Sequence, residues 1–80
     1  MPLKSTIKID SERPSLLMKV LRPELGREVP RTTVTGYTEN GKLIIEISAK
    51  DLPAMRAALN SYLRWIKVAK DILKITGEET

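Results

Sequence analysis

Cysteine and histidine are both absent from the 80 residues. That excludes thiol nucleophiles, disulfide frameworks, zinc knuckles and imidazole bases. Phenylalanine is absent too, and the aromatic residues are Tyr37, Tyr62 and Trp65, so any core must be aliphatic and thin. No apolar run approaches the ~18 residues that span a bilayer, and no apolar stretch of the signal-peptide kind follows Met1-Pro2-Leu3-Lys4. The expectation is one soluble, cytoplasmic domain over residues 1–80, with 76–80 as a frayed tail and no cofactor. What the chain does have is charge: 14 Lys and Arg less 10 Asp and Glu leaves +4, which keeps an anionic partner in view.

Residues 3–9 alternate in the manner of a strand, with Leu3, Ser5, Ile7 and Ile9 on one face and Lys4, Thr6 and Lys8 on the other. Asp10-Ser11 offers a helix cap, Pro14 suits a first turn, and Leu16, Leu17, Val20 and Leu21 form a helical stripe. Pro23 should end or kink that helix at Arg22, and Gly26 should close it. Two β runs, 31–38 and 42–49, flank Asn40-Gly41, a turn pair that accepts positive φ at both positions. The turn predicts Tyr37 opposite Ile44, Thr35 opposite Glu46 and Thr33 opposite Ser48 on one face. Val34 with Ile47 and Gly36 with Ile45 then lie on the core face. A long helix follows from a cap at Asp51 to about Ile75, burying Leu52, Met55, Leu59, Tyr62, Leu63, Ile66 and Leu73, with Gly77 as terminator. The order β-α-β-β-α predicts an α+β two-layer sandwich: a three-stranded antiparallel sheet with two helices on one face.

Two features exceed what a monomer needs. The long helix carries a second stripe, Ala58, Ser61, Trp65, Val68 and Ile72, which reads either as core edge under the first helix or as a docking stripe for another helix. Met18 sits off the first helix's core stripe and Leu25 lies just beyond that helix, and both agree with docking. The uncovered sheet face holds Thr33, Thr35, Tyr37, Ile44, Glu46 and Ser48. It reads as solvated surface or, with Tyr37 beside Ile44, as a homodimer interface on that face or at a sheet edge.

Leu21-Arg22-Pro23-Glu24-Leu25 resembles the Leu-x-Pro-Glu segment that ends the first helix of the Pcc subunits of the KEOPS complex. Arg56-Ala57-Ala58-Leu59-Asn60-Ser61-Tyr62-Leu63-Arg64-Trp65 resembles that family's signature helix, and the resemblance extends over roughly residues 3–75. Pro14 departs from the family's more acidic helix start. The resemblance implies a non-catalytic dimerisation and adaptor subunit of the machinery that makes N6-threonylcarbamoyladenosine in tRNA. Its implied partners are a second copy or a Pcc-like paralogue, the threonylcarbamoyl transferase, and indirectly a Bud-type kinase and tRNA. By position, the transferase would meet Met18, Leu21, Leu25, Ala58, Ser61, Trp65 and Val68.

Residues for catalysis are not evident. The carboxylates form no close pair by spacing, Gly26 and Gly36 belong to no phosphate loop, and Ser61 has no histidine to activate it. No enzyme is expected. The alternatives are a stand-alone basic RNA-binding module, using Arg56, Arg64 and Lys67 with Lys74, Lys4 and Lys8, or the divergent Pcc-like paralogue. Only Tyr37 could stack a base on the sheet, which disfavours the former.

Overall fold

The computed structural model describes residues 2–25 and 29–75. In chain order they form β1 (Leu3–Asp10), α1 (Pro14–Leu25), β2 (Thr32–Glu39), β3 (Lys42–Ala49) and α2 (Leu52–Ile75). The sheet is antiparallel, ordered β1-β3-β2. Both helices cover one face, as the alternating pattern implies: the inward side chains of β3, Leu43, Ile45 and Ile47, are buried to 1% exposure or less. The hairpin register is the one that the turn predicts, Tyr37 opposite Ile44 and Val34 opposite Ile47. Asn40 and Gly41 adopt φ of 53° and 78°, the left-handed pair whose twist matches the flanking strands.

α1 passes through Pro23 to Leu25 instead of stopping at Arg22. Pro23 stands in the last turn, so its missing N–H costs one bond, to the Lys19 carbonyl, and little helix remains beyond it to disrupt. Tertiary contacts hold that turn. The Tyr62 hydroxyl donates to the Glu24 carbonyl at 3.4 Å, and Leu25 packs over Gly36 of β2. The helix start also differs from the sequence reading. Asp10 belongs to β1 and pairs with Lys42, while the Arg13 carbonyl accepts the amides of Leu16 and Leu17. Ser11 Oγ accepts the Arg13 amide at 3.1 Å, so it shapes the turn that enters the helix. Gly26 and Gly77, the expected terminators, lie outside the described residues.

α2 starts as its cap predicts, with Asp51 Oδ1 accepting the Ala54 amide at 2.9 Å and the Asp51 carbonyl accepting the Met55 amide. Arg31 reaches the same carboxylate from the entrance of β2, and its carbonyl accepts the Lys50 amide. Arg31 stands at φ 66°, a left-handed conformation uncommon for a side chain of this size. The α1–β2 and β3–α2 connections therefore meet at one corner. The face that α2 buries is centred on Ala54, Met55, Ala58, Tyr62, Ile66, Ala69 and Leu73. Leu52 and Leu63, expected in this face, are instead 58% and 53% exposed. Alanines at 54, 58 and 69 let the helix backbone approach the sheet and α1, which rotates the buried centre away from the leucines.

Two outcomes follow. A Cβ at Gly36 would stand 2.9 Å from Leu25 Cδ1 and 3.3 Å from Met18 Cε. These flexible ends can yield to one methyl but not to a branched side chain. Gly36→Val should cost about 1–3 kcal/mol in urea unfolding, with Gly36→Ala near neutral. The Asp51 carboxyl is held below its ordinary value, first by the Ala54 amide and then by Arg31. A depressed carboxyl stabilises the fold above its unfolded pKa and loses that contribution as pH falls through the folded one. Acid unfolding of Asp51→Asn, which keeps a capping oxygen without the charge, should therefore lack this part of the pH dependence.

Candidate functional site

The described surface carries three sets of candidate residues, and the two helices hold the first. α1 lies over β2, with Met18 and Leu25 against Gly36, and α2 lies chiefly over the central strand β3. Where the helices diverge, Val20, Leu21 and Glu24 of α1 face Trp65, Val68, Ala69 and Ile72 of α2 across a groove of about 100 Å³. Leu21 and Ala69 are buried and form its floor. Val68 at 50% and Ile72 at 43% exposure form its outer wall. Trp65 is half-buried, its ring edge-on to Tyr62 with centroids 4.8 Å apart. This contact fixes the indole as a rigid wall of the groove.

The seven residues implied for a docking helix are thus separated by the fold. Trp65 and Val68 line the groove and are accessible, and Ser61 is half-buried one turn before Trp65. Leu21 is core that reaches the groove only as floor, and Ala58 is wholly core. Met18 and Leu25 are turned to the sheet because Gly36 leaves room for them there. Val20, Glu24 and Ile72 complete the groove and are not among the residues expected from the sequence. Ile72 stood on the second helical stripe, so its spacing was a usable signal. Val20 was assigned to the core, and Glu24 carries no signal of its own.

The second set is the open sheet face. Thr33, Thr35, Tyr37, Ile44, Glu46 and Ser48 do share it, in register with Lys4, Thr6 and Lys8 of β1. The Tyr37 hydroxyl donates to Glu46 Oε2 at 3.2 Å. Desolvation first, and the Glu46 carboxylate second, raise the Tyr37 pKa above its ordinary value. Ile44 is only 6% exposed: it stands on the central strand between Lys8 and Tyr37, whose side chains cover it. The apolar patch expected from Tyr37 and Ile44 therefore reduces to one ring, already hydrogen-bonded. Threonines and the shallow, polar troughs beside them make up the rest.

Arg56, Arg64 and Lys67 are the third set, all exposed and within a third of the turn of α2. Lys67 pairs with Asp71 one turn on, at 3.2 Å, which leaves the two arginines as the freer charges of the three. No group of three His, Cys, Asp or Glu side chains among the described residues could hold a metal. No described helix is long and apolar enough to cross a membrane.

Comparison with known proteins agrees with this architecture. Residues 3–74 match the family model described as "Transcription factor Pcc1". A 45-residue stretch, 56% of this chain, is 51% identical to "KEOPS complex subunit Pcc1" of Pyrococcus abyssi (strain GE5 / Orsay) and covers 55% of that protein. The chain therefore matches about half the length of this curated relative. With a family match over nearly all of its length and the β-α-β-β-α sandwich in place, the chain belongs to the Pcc1 family.

Proposed function

We propose that this protein is a non-catalytic adaptor subunit of a KEOPS-type complex. In this reading it binds the complex's threonylcarbamoyl transferase and pairs with a second Pcc-type chain, so supporting N6-threonylcarbamoyladenosine formation in tRNA. The observation that carries the reading is the groove between α1 and α2. An aromatic wall held rigid by Tyr62, an exposed aliphatic rim at Val68 and Ile72, and a floor of Leu21 and Ala69 suit the apolar side of an incoming helix. The relative's name, a complex subunit, is consistent with a surface built for docking. The family description speaks of transcription, but an apolar groove on the helices and few stacking groups on the sheet support protein docking over nucleic-acid binding.

Val68→Asp tests the groove without touching the core. Calorimetric titration with a KEOPS-type transferase should show a loss of about 2 kcal/mol or more, while the melting curve of the isolated chain stays in place. Undiminished binding would move the transferase off this groove. Trp65→Ala is less clean, since the indole also packs on Tyr62.

A direct contribution to tRNA binding has its own observation, the common exposed face of Arg56, Arg64 and Lys67. Phosphate contacts release counterions, so removing one lowers the salt slope of binding by about 1. Arg64→Ala should show that change in tRNA titrations of the assembled complex; an unaltered slope would exclude Arg64 from the contact.

A further inference from the structure

The groove between α1 and α2 is apolar along most of its length but not at one end. Among its described lining residues Glu24 alone carries a charge. The two helices run antiparallel: the Tyr62 hydroxyl meets the Glu24 carbonyl near the end of α1, while the charge of Lys70 is felt at Asp10, just before α1 begins. Glu24 therefore marks the end of the groove beside Tyr62 and Trp65. Ile72 marks the other end, about 10 Å or two helical turns beyond Trp65. Glu24 is half-buried in the isolated chain. Its carboxylate lies close enough to the Tyr62 ring that, after desolvation, its charge helps to raise the Tyr62 pKa.

An incoming helix that is apolar throughout would take water from the groove side of this carboxylate without replacing it, and uncompensated burial of a charge is strongly unfavourable. A partner that brings a cation to this point avoids that penalty. The two carboxylate oxygens accept about four hydrogen bonds, so a cation from outside adds to the contacts that Glu24 keeps within its own chain. An acidic or apolar side chain at the same point is rejected, which gives the groove a selectivity that its apolar lining lacks. The charge also gives the groove a direction. Val20, Val68 and Ile72 accept an apolar stripe running either way, whereas a charge at one end matches a charged helix in one orientation only.

We propose that Glu24 sets the orientation of the docking helix in this groove, pairing with an arginine or lysine that the partner carries about two turns from the apolar side chain seated on Ile72. This proposal rests on the groove reading of the proposed function and names the chemistry that the groove selects.

Calorimetric titration of the full chain with a KEOPS-type transferase tests it. Glu24→Lys should raise the dissociation constant about tenfold or more, because like charges then meet across the interface. Glu24→Gln keeps the shape, should weaken binding less, and should flatten the salt dependence that the parent shows. The Tyr62 hydrogen bond uses the Glu24 backbone carbonyl and is available to both variants, and thermal melts check that both fold. Reversing the arginines and lysines of the transferase's docking helix to glutamate, one at a time, should find one change that weakens binding to the parent and restores binding to Glu24→Lys. If Glu24→Lys binds as the parent does while Val68→Asp does not, the pairing is overturned and the groove stands. A loss in Glu24→Lys that no reversal restores overturns the pairing too, as does a salt dependence unchanged in Glu24→Gln. If neither Val68→Asp nor Glu24→Lys alters binding, the groove reading itself fails.

Discussion

The pairing of β3 with both of its neighbours is the constraint on which the rest depends. β3 is the central strand, and its residues alternate so that Leu43, Ile45 and Ile47 face the helices while Ile44, Glu46 and Ser48 face away. A slip of one residue would send every one of these to the opposite side. The Asn40-Gly41 turn prevents the slip on one flank, since its two left-handed residues permit a single loop length. On the other flank the eight pairs from Leu3 with Ala49 to Asp10 with Lys42 carry the same phase into β1. With the phase set, both helices must lie on one face, and the groove and the open sheet face are what that arrangement leaves uncovered.

α2 is then asked to do more than pack. Its alanines and Tyr62 face inward, which brings the helix close to the sheet and leaves larger side chains on both flanks. One flank meets α1 at a narrow groove, where Trp65 is held by Tyr62 and Tyr62 in turn bonds the last turn of α1. That chain of contacts ties the groove's shape to the core. The other flank carries leucines over an open strand edge. A chain without phenylalanine buries only a modest core, and apolar flanks of this kind gain stabilisation when a second chain covers them.

The elements, their order and the hairpin register were legible from periodicity and from Asn40-Gly41. The second stripe of α2 was legible in the same way, and the family was legible from residues 21–25 and 56–65. The exposure of Leu63 was not. A helical wheel gives the direction of a side chain but not which arc the sheet touches, and hydrophobicity alone chose leucine over alanine. The loss of Met18 and Leu25 to the sheet has a similar origin, since it depends on space above Gly36, which lies on a different element farther along the chain. Pro23 inside α1 also lay beyond local rules, because its last turn is held by Tyr62 and Gly36.

The sequence by itself therefore determined the local order: which segments alternate, where Asp51 caps a helix, where the chain must turn, and that no histidine or cysteine chemistry is available. These follow from short-range dihedral and hydrogen-bond preferences that act within a few residues. Tertiary structure alone decided which apolar residues became core and which became surface. That choice is set by how closely α2 can approach its neighbours, and the limit comes from side-chain volumes on three elements at once: Ala58 and Ala69 on α2, Leu21 on α1 and Ile45 on β3. Close packing makes such volumes interdependent, so the groove at Trp65 and the exposed leucines beside β1 emerge only when all three meet.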